Sequence, residues 1–159
     1  MAGSPTAREI PSLPGARVLL VEARYHARIN DLLVQGARRV LDTAGAEIEL
    51  LRVPGALEIP PAIRLAADSG RYDAYVALGC VIRGETFHFE LVAVESCRGL
   101  MELGTRRGLA IGNGILTVNN VQQAVVRAAP GGEDKGGHAA LAALTLLALA
   151  RRLATTEVP

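Results

Sequence analysis

The chain has 159 residues, of which 50% are hydrophobic, so one domain with a substantial apolar core is expected. Its net charge is +1 and only 3% of its residues are aromatic, with no Trp, which argues against a nucleic-acid or membrane-surface partner. The two cysteines, Cys80 and Cys97, are too few for a disulfide framework and lack metal-site spacing. Both are expected to be buried free thiols in a reducing, cytoplasmic environment.

Residues 1–15 contain Ser, Pro and Gly but no apolar run typical of a signal peptide. We therefore expect a flexible arm there, followed by a single domain over residues 16–159. The domain begins with a short continuous apolar run at 16–22, as in a strand buried on both faces. Hydrophobic residues then recur at helical spacing from Ile29 to Leu41, which predicts the first helix.

The same alternation continues along the chain. Further strands are predicted at 46–53, 74–82 and 109–118. Helices are predicted around 57–67, from Leu91 to near Gly104, and after Asn119, where Gln122 three residues later resembles a capping box. Strands that alternate with helices in this way predict a parallel sheet with helices on both of its faces.

A last apolar stretch, residues 139–150, predicts a terminal helix. It is shorter than the roughly 20 residues that a bilayer span needs, so no membrane association is expected. It is apolar on nearly every face, which predicts burial all round. A terminal helix of a small domain is buried most easily against a second subunit, so we expect an oligomer.

Ligands of open parallel sheets bind at the carboxyl ends of the strands, so residues after each strand are the candidates for a site. Gly84, Glu85 and Thr86 follow the third predicted strand, and the free N–H groups of the next helix could hold a phosphate there. A tight turn with Thr86 as helix cap is the alternative. His88 comes next, and its ordinary pKa of ~6.5 suits proton transfer, although a surface or packed histidine is the alternative.

Further polar or aromatic candidates lie at the other strand ends. Tyr25 either stacks on a planar ligand or is partly buried. Glu58 either accepts hydrogen bonds from sugar-like hydroxyls or interacts favourably with the dipole at a helix N-terminus. Arg127 either binds a phosphate or stays solvated. Lys135 lies in GGEDKGG, which lacks the order of a P-loop, and GNG at 112–114 is too short for a dinucleotide fingerprint.

Two motifs, VPGALEIP at 53–60 and GCVIRGETFHFE at 79–90, resemble those of the lumazine synthase family, and GNGILTVNN and the DKGG loop agree in order and spacing. The resemblance covers about residues 16–152. It implies a three-layer, flavodoxin-like α/β fold, with a four-stranded parallel sheet flanked by helices on both faces. It also implies rings of five subunits, which some members pair or build into shells of sixty, with sites between neighbours and neither a metal nor an organic cofactor.

The resemblance implies a cytoplasmic transferase of riboflavin biosynthesis. The family condenses 5-amino-6-(D-ribitylamino)uracil with 3,4-dihydroxy-2-butanone 4-phosphate to 6,7-dimethyl-8-ribityllumazine, and releases phosphate and water. One alternative is a non-catalytic ring of the same fold that binds flavin or lumazine. Another is a nucleotide-binding or signalling domain of the same α/β class, against which the missing phosphate-loop signatures argue.

The resemblance also implies a role for each position that matches the family's motifs. Contacts to the pyrimidine and its ribityl chain are implied for Tyr25, Ala56, Leu57, Glu58, Cys80, Val81, Ile82, Asn113 and Lys135. Phosphate contacts are implied for Glu85, Thr86 and Arg127, and proton transfer for His88. Asn113 is expected to reach the site of the adjacent subunit. Many family members have Phe at the positions of Leu57 and Asn113, so weaker binding of the pyrimidine is expected here.

Overall fold

The computed structural model describes residues 9–155, and within them strands and helices alternate as the sequence predicts. The strands of this part are β1 (Arg17–Ala23), β2 (Glu47–Val53), β3 (Ala74–Ile82) and β4 (Ile111–Val118). Its helices are α1 (Ala27–Ala44), α2 (Ile59–Asp68), α3 (His88–Arg107), α4 (Val121–Ala128) and α5 (Lys135–Thr155). A short 3₁₀ helix, Ala56–Glu58, precedes α2.

The four strands form one parallel sheet in the order β2-β1-β3-β4. Helices α1, α4 and α5 pack on one face of the sheet, and α2 and α3 pack on the other. The three-layer, flavodoxin-like α/β fold is therefore confirmed. Because β1 lies beside both β2 and β3, the strand order reverses between β1 and β3, and a crevice opens at their carboxyl ends.

The central strands are apolar and buried on both faces, as their continuous hydrophobic runs predict. Burial is unbroken from Val18 to Ala23 in β1 and from Ala74 to Val81 in β3. The edge strands β2 and β4 alternate between more and less exposed residues instead. The largest fully buried apolar side chains are Leu19, Leu20, Leu33, Leu41, Ile59, Ile63, Leu78 and Leu144. Burying each one contributes about 1.5–3 kcal/mol to the hydrophobic stabilisation of the fold.

Helix α3 differs from the prediction in two ways, in where it ends and in the exposure of Cys97. It does not end near Gly104 but continues to Arg107, and Gly108 follows with a φ of 64°. A left-handed glycine is a common stop signal, whereas a glycine inside a helix only weakens it. Cys97 is exposed on this helix, so the prediction of two buried thiols is wrong for Cys97 and right for Cys80.

Helix α4 begins one residue later than the capping pattern predicts. Asn120, not Asn119, is the capping residue, and its Oδ1 accepts from the Gln123 N–H at 2.9 Å. Gln123 Oε1 in turn accepts from the Asn119 N–H at 2.8 Å. Gln123 thus takes the place expected for Gln122, although it accepts from the residue before the cap and not from the cap itself.

Helix α5 begins earlier than predicted because Asp134 caps it. The buried Asp134 carboxylate accepts from the Gly137 N–H at 3.1 Å and from Arg39 of α1 at 2.6 Å. Gly136 lets the two helices approach closely, since a Cβ there would lie 2.0 Å from the Leu33 carbonyl oxygen of α1. Of the DKGG loop, only Asp134 precedes the helix, and Lys135 and the two glycines belong to it.

Helix α5 is buried along one face only. Its small residues pack in the core, but Leu146, Leu149 and Leu153 are exposed in the single chain. Burial all round, against a second subunit, stays a prediction. At 21 residues the helix is longer than the predicted 139–150 and, by length and composition alone, could cross a membrane. A core helix of a globular protein passes the same test, and the buried face of α5 belongs to the core.

The predicted N-terminal arm is described only in part, because residues 1–8 lie outside the described residues. Residues 9–15 lie against the sheet domain, with Ile10 buried. The Leu13 and Gly15 N–H groups donate to the carbonyl oxygens of Ala44 and Gly45, each at 2.9 Å. The division of the chain into an arm and a domain at residue 15 stays a prediction.

Candidate active site

A cavity of about 370 Å³ opens at the carboxyl ends of β1 and β3, where the strand order reverses. Its walls come from the loops after β1 and β2, the end of β3, and the first turns of α3. The residues of the predicted site that line it are Tyr25, Ala56, Leu57, Glu58, Cys80, Val81, Ile82, Thr86 and His88. Residues that are distant in sequence and follow three different strands thus surround one space.

Tyr25 and His26 form the wall after β1. The Tyr25 side chain is 82% exposed, and its ring meets the His26 ring edge-on, with centroids 4.9 Å apart. His26 lines the cavity, and burial lowers the pKa of its imidazole. His26 is not among the residues predicted for the site, because the segment expected after β1 ended at Tyr25. Its position was visible in the sequence, since a histidine directly after Tyr25 follows the same strand end.

The loop after β2 is shaped by Gly55 and Glu58. The Gly55 N–H donates to Glu58 Oε2 at 2.9 Å, which closes the turn that becomes the 3₁₀ helix. Pro60 and Pro61 lie in the first turn of α2, where a missing N–H costs nothing. Among residues 9–155 the other oxygen of Glu58 has no hydrogen-bond partner, so the carboxylate can accept from a ligand hydroxyl.

The third wall consists of the loop after β3 and the start of α3. The helix begins at His88, and the capping position belongs to Phe87, which provides no side-chain cap. Thr86 is therefore not the cap that the alternative interpretation required. Gly84, Thr86 and His88 all line the cavity, so the first turn of a 20-residue helix begins beside a hydroxyl and an imidazole. Helix N-termini favour anions because of the free N–H groups and the dipole.

Arg83 anchors this loop to two elements. Its Nε donates to Asn119 Oδ1 at 3.1 Å, after the end of β4. Its Nη1 donates to Glu90 in the first turn of α3, and this hydrogen bond lowers the pKa of the Glu90 carboxyl. The guanidinium also lies 4.3 Å from the centroid of the Phe89 ring, which lines the cavity. These contacts fix the loop relative to the end of β4 and the first turn of α3.

Cys80 lines the cavity but is poorly suited to act as a nucleophile. Burial raises the pKa of its thiol to about 11, so the thiol stays protonated near neutral pH. With Val81 and Ile82 it brings the backbone of the end of β3 to the cavity. Among residues 9–155, no group of three or more His, Cys, Asp or Glu side chains could hold a metal ion.

The sequence profile described as 6,7-dimethyl-8-ribityllumazine synthase matches residues 15–151. The chain belongs to this family. A protein of that name from Sphingopyxis alaskensis is 63% identical over 134 residues, which cover 84% of this chain and 94% of that protein. Another, from Novosphingobium aromaticivorans, is 62% identical over 137 residues, or 86% of this chain and 98% of that one. A third, from Zymomonas mobilis, is 59% identical over 138 residues, 87% and 99% of the two chains.

Asn113 is one of four residues expected in a lumazine synthase site that do not line this cavity. It lies in β4 opposite Ala77, and its Nδ2 is 3.7 Å from Cys97 Sγ on α3. The strand continues for five more residues to Val118. At about 3.3 Å per residue, Asn113 is therefore about 16 Å from the carboxyl end of the sheet. It cannot reach the cavity of its own chain.

The other three are Glu85, Arg127 and Lys135. Glu85 is exposed beside the cavity, and because its carboxylate repels phosphate, only its N–H suits a phosphate contact. Arg127 lies on α4 and donates to the Gln123 carbonyl oxygen of its own helix at 3.1 Å. Lys135 begins α5, across the sheet from α3, and its Nζ lies 3.4 Å from Glu133 Oε2. One chain thus presents the aromatic, carboxylate, hydroxyl and imidazole groups without the cations.

Proposed function

We infer that this chain condenses 5-amino-6-(D-ribitylamino)uracil with 3,4-dihydroxy-2-butanone 4-phosphate. The product is 6,7-dimethyl-8-ribityllumazine, with release of phosphate and water, and the chain acts as a transferase of riboflavin biosynthesis. The observation that carries this inference is the cavity, where an aromatic face, a carboxylate, a hydroxyl at a helix N-terminus and an imidazole surround one space. These groups match a planar amine with a polyol chain and a phosphorylated ketone.

The pyrimidine is proposed to lie on the Tyr25 ring. That ring is 82% exposed, and stacking of a base on an aromatic ring contributes about 1–3 kcal/mol. The backbone at Val81 and Ile82 offers N–H and C=O groups to the pyrimidine edge. Glu58, with one carboxylate oxygen not used by Gly55, accepts from the ribityl hydroxyls.

The phosphate of the second substrate is proposed to lie between Gly84 and the start of α3. There the Thr86 hydroxyl and the first N–H groups of the helix donate to phosphate oxygens. An arginine suits such a site because its planar guanidinium can donate two hydrogen bonds to one phosphate. We assign this role to Arg127, supplied by a neighbouring subunit.

His88 is proposed to carry the proton transfers. The pyrimidine amine attacks the ketone to form an imine with loss of water, and phosphate then leaves by elimination. Loss of phosphate leaves an enol, which tautomerises to a new ketone. Attack of the ribitylamino nitrogen on that ketone, with a second dehydration, closes the ring and completes the product. Each step moves protons near the imidazole, while the protein provides no covalent nucleophile, so much of the rate comes from holding two substrates together.

We propose that the active form is a homo-oligomer, a ring of five or a multiple of it, with each site shared by two subunits. Two features support this. Asn113 is too far from the cavity of its own chain, and a surface beside it is apolar. We call this the β4-edge surface, and its residues are Met101, Asn113, Leu146, Leu149 and Leu153. Contiguous exposed apolar patches of this kind mark interfaces.

The activity is tested by incubating the purified chain with both substrates and following the fluorescence of the lumazine product. Product formation that needs both substrates is expected. A chain that binds added 6,7-dimethyl-8-ribityllumazine but forms none from the two substrates would be a non-catalytic binding ring, and the proposed reaction would be wrong.

The shared site is tested by mixing two impaired variants, His88→Ala and Arg127→Ala, through unfolding and reassembly. In a symmetric ring with random mixing, about a quarter of the sites would have both native residues, so about a quarter of native activity is expected. Each variant reassembled alone is the control. If the mixture is no more active than the controls, the two residues do not meet across an interface.

A further inference from the structure

Glu22 is a buried carboxylate at the end of β1 that the reaction outlined above does not use. It is 1% exposed, and it pairs in the sheet with Arg52 of β2 and Leu78 of β3. Its Oε1 accepts from Arg52 Nε at 2.9 Å and its Oε2 accepts from Arg24 Nη1 at 3.0 Å. Burying a carboxylate is costly even when it is paired, so stability alone is a weak reason for this arrangement.

Arg24 connects Glu22 to the wall of the cavity. The same Nη1 that meets Glu22 also donates to Asp31 Oδ1 of α1 at 2.8 Å. The Arg24 N–H donates to the Val53 carbonyl oxygen of β2 at 2.9 Å. The loop between β1 and α1 is therefore tied to both neighbouring elements at Arg24. The next two residues are Tyr25 and His26, which line the cavity.

The Tyr25 ring depends on this backbone for its position. It is 82% exposed, and its ring contact among residues 9–155 is with His26, which belongs to the same loop. Within the described part of the chain, the ring belongs to neither hydrophobic core cluster. We propose that Glu22 is a positioning residue, which holds Arg24 and thereby sets the Tyr25–His26 wall for the pyrimidine. This inference rests on the proposed function, because it assigns the pyrimidine to that wall.

The test is Glu22→Gln, assayed with each substrate varied in turn. Glutamine has one acceptor oxygen, and its amide N–H groups would face the N–H groups of the second arginine, so one of the two arginines is released. We expect the KM for the pyrimidine to rise about tenfold, the size of one lost charge-assisted hydrogen bond. The kcat and the KM for the butanone phosphate should change by less than about twofold.

The matched control is Glu49→Gln, which removes an exposed carboxylate of β2 that pairs with Arg71 at 3.1 Å. All three kinetic constants should keep their native values in that variant. A merely structural role for Glu22 would lower the melting temperature without separating the two KM values. Equal changes in both KM values, or none, would overturn the positioning role.

A second variant guards against misfolding of Glu22→Gln. Arg24→Met keeps about the aliphatic part of a side chain that is 33% exposed and removes its bonds to Glu22 and Asp31. It should raise the same KM, and the double variant should add little to it. Titration with 6,7-dimethyl-8-ribityllumazine measures how tightly the Tyr25–His26 wall binds a ligand, without turnover. A native chain that binds the lumazine but forms no product refutes the proposed function, whereas native-like lumazine affinity in both variants refutes the role of Glu22.

Discussion

The cavity and the β4-edge surface are built in opposite ways. The cavity brings polar groups from three strand ends into a half-closed space, and a single chain provides its walls. The β4-edge surface contains a groove of about 420 Å³ with mostly leucine, isoleucine, alanine and glycine around it, open to solvent in the single chain. Asn113, expected in the site, lies on that surface. The comparison teaches that one chain can build most of the polar groups of a site and still lack its cations and its closure.

The largest expected effect comes from a charge on the β4-edge surface. Leu149→Asp would bury an unpaired carboxylate in the proposed interface, which the assembly cannot tolerate. We expect the ring to dissociate and turnover to fall about a hundredfold, because the neighbour's groups no longer meet the substrates. Light scattering measures the assembly, and the fluorescence of the product measures turnover.

Leu149→Met is the matched control, since it keeps an apolar side chain of similar volume at the same position. It should remain assembled and active. A Leu149→Asp chain that is monomeric and fully active would show that one chain builds the whole site, and the contrast between the two regions would have no functional meaning.

The next largest effect separates the contribution of proton transfer by His88 to the rate from that of holding the two substrates together. His88→Ala should slow turnover by about 10 to 100 fold while the ring stays assembled, at or below the usual contribution of acid–base catalysis. His88→Gln, which keeps a hydrogen-bonding group but not a titrating one, should match it. Complete loss of activity in a correctly assembled variant would contradict a mechanism in which the closed site mainly holds two substrates together.

A gain of affinity is expected from Asn113→Phe and from Leu57→Phe, one from each region. Each substitution adds an aromatic ring to the pyrimidine, and one stacking contact is worth about 1–3 kcal/mol, or about tenfold in Kd near the lower value. Calorimetry with the lumazine product measures it. In the Leu149→Asp background, Leu57→Phe should keep its gain and Asn113→Phe should lose it. An unchanged affinity of Asn113→Phe in the intact ring would remove Asn113 from the site.

The fold was predictable because its signals are local. Continuous apolar runs gave the central strands β1 and β3, and helical spacing gave the elements between them. A parallel sheet with crossovers then fixed which loops meet at one edge, so Tyr25, Glu58 and His88 could be grouped without a structure. The predicted helix boundaries were wrong where a single residue sets the boundary, as Gly108 does after α3 and Asp134 does before α5.

The rest of the site depends on distances that spacing does not encode. Asn113 carries the same motif signal as His88, yet the register of β4 puts it about 16 Å from the rim. Cys97 is exposed although it lies beside Asn113, because β4 is an edge strand, and the position of a strand in the sheet is not encoded in the residues around Cys97. His26 had a local signal that was missed, whereas the exposed leucines of α5 have meaning only in relation to a second chain.

The smallest expected effect concerns His26 and reports how closed the cavity is. Burial lowers the pKa of the His26 imidazole below its unfolded value of about 6.5, so the unfolded chain binds more protons as the pH falls. This group therefore lowers stability as the pH drops from about 7.5 to about 5.5, and His26→Gln should show a smaller fall in melting temperature over that range. Closure of the cavity by a neighbour would bury His26 further, so the difference should be larger in the assembled chain than in Leu149→Asp. If the melting temperatures of the native chain and of His26→Gln depend equally on pH, the imidazole is as well solvated in the folded chain as in the unfolded one. Neither the loop nor a neighbour would then enclose that wall.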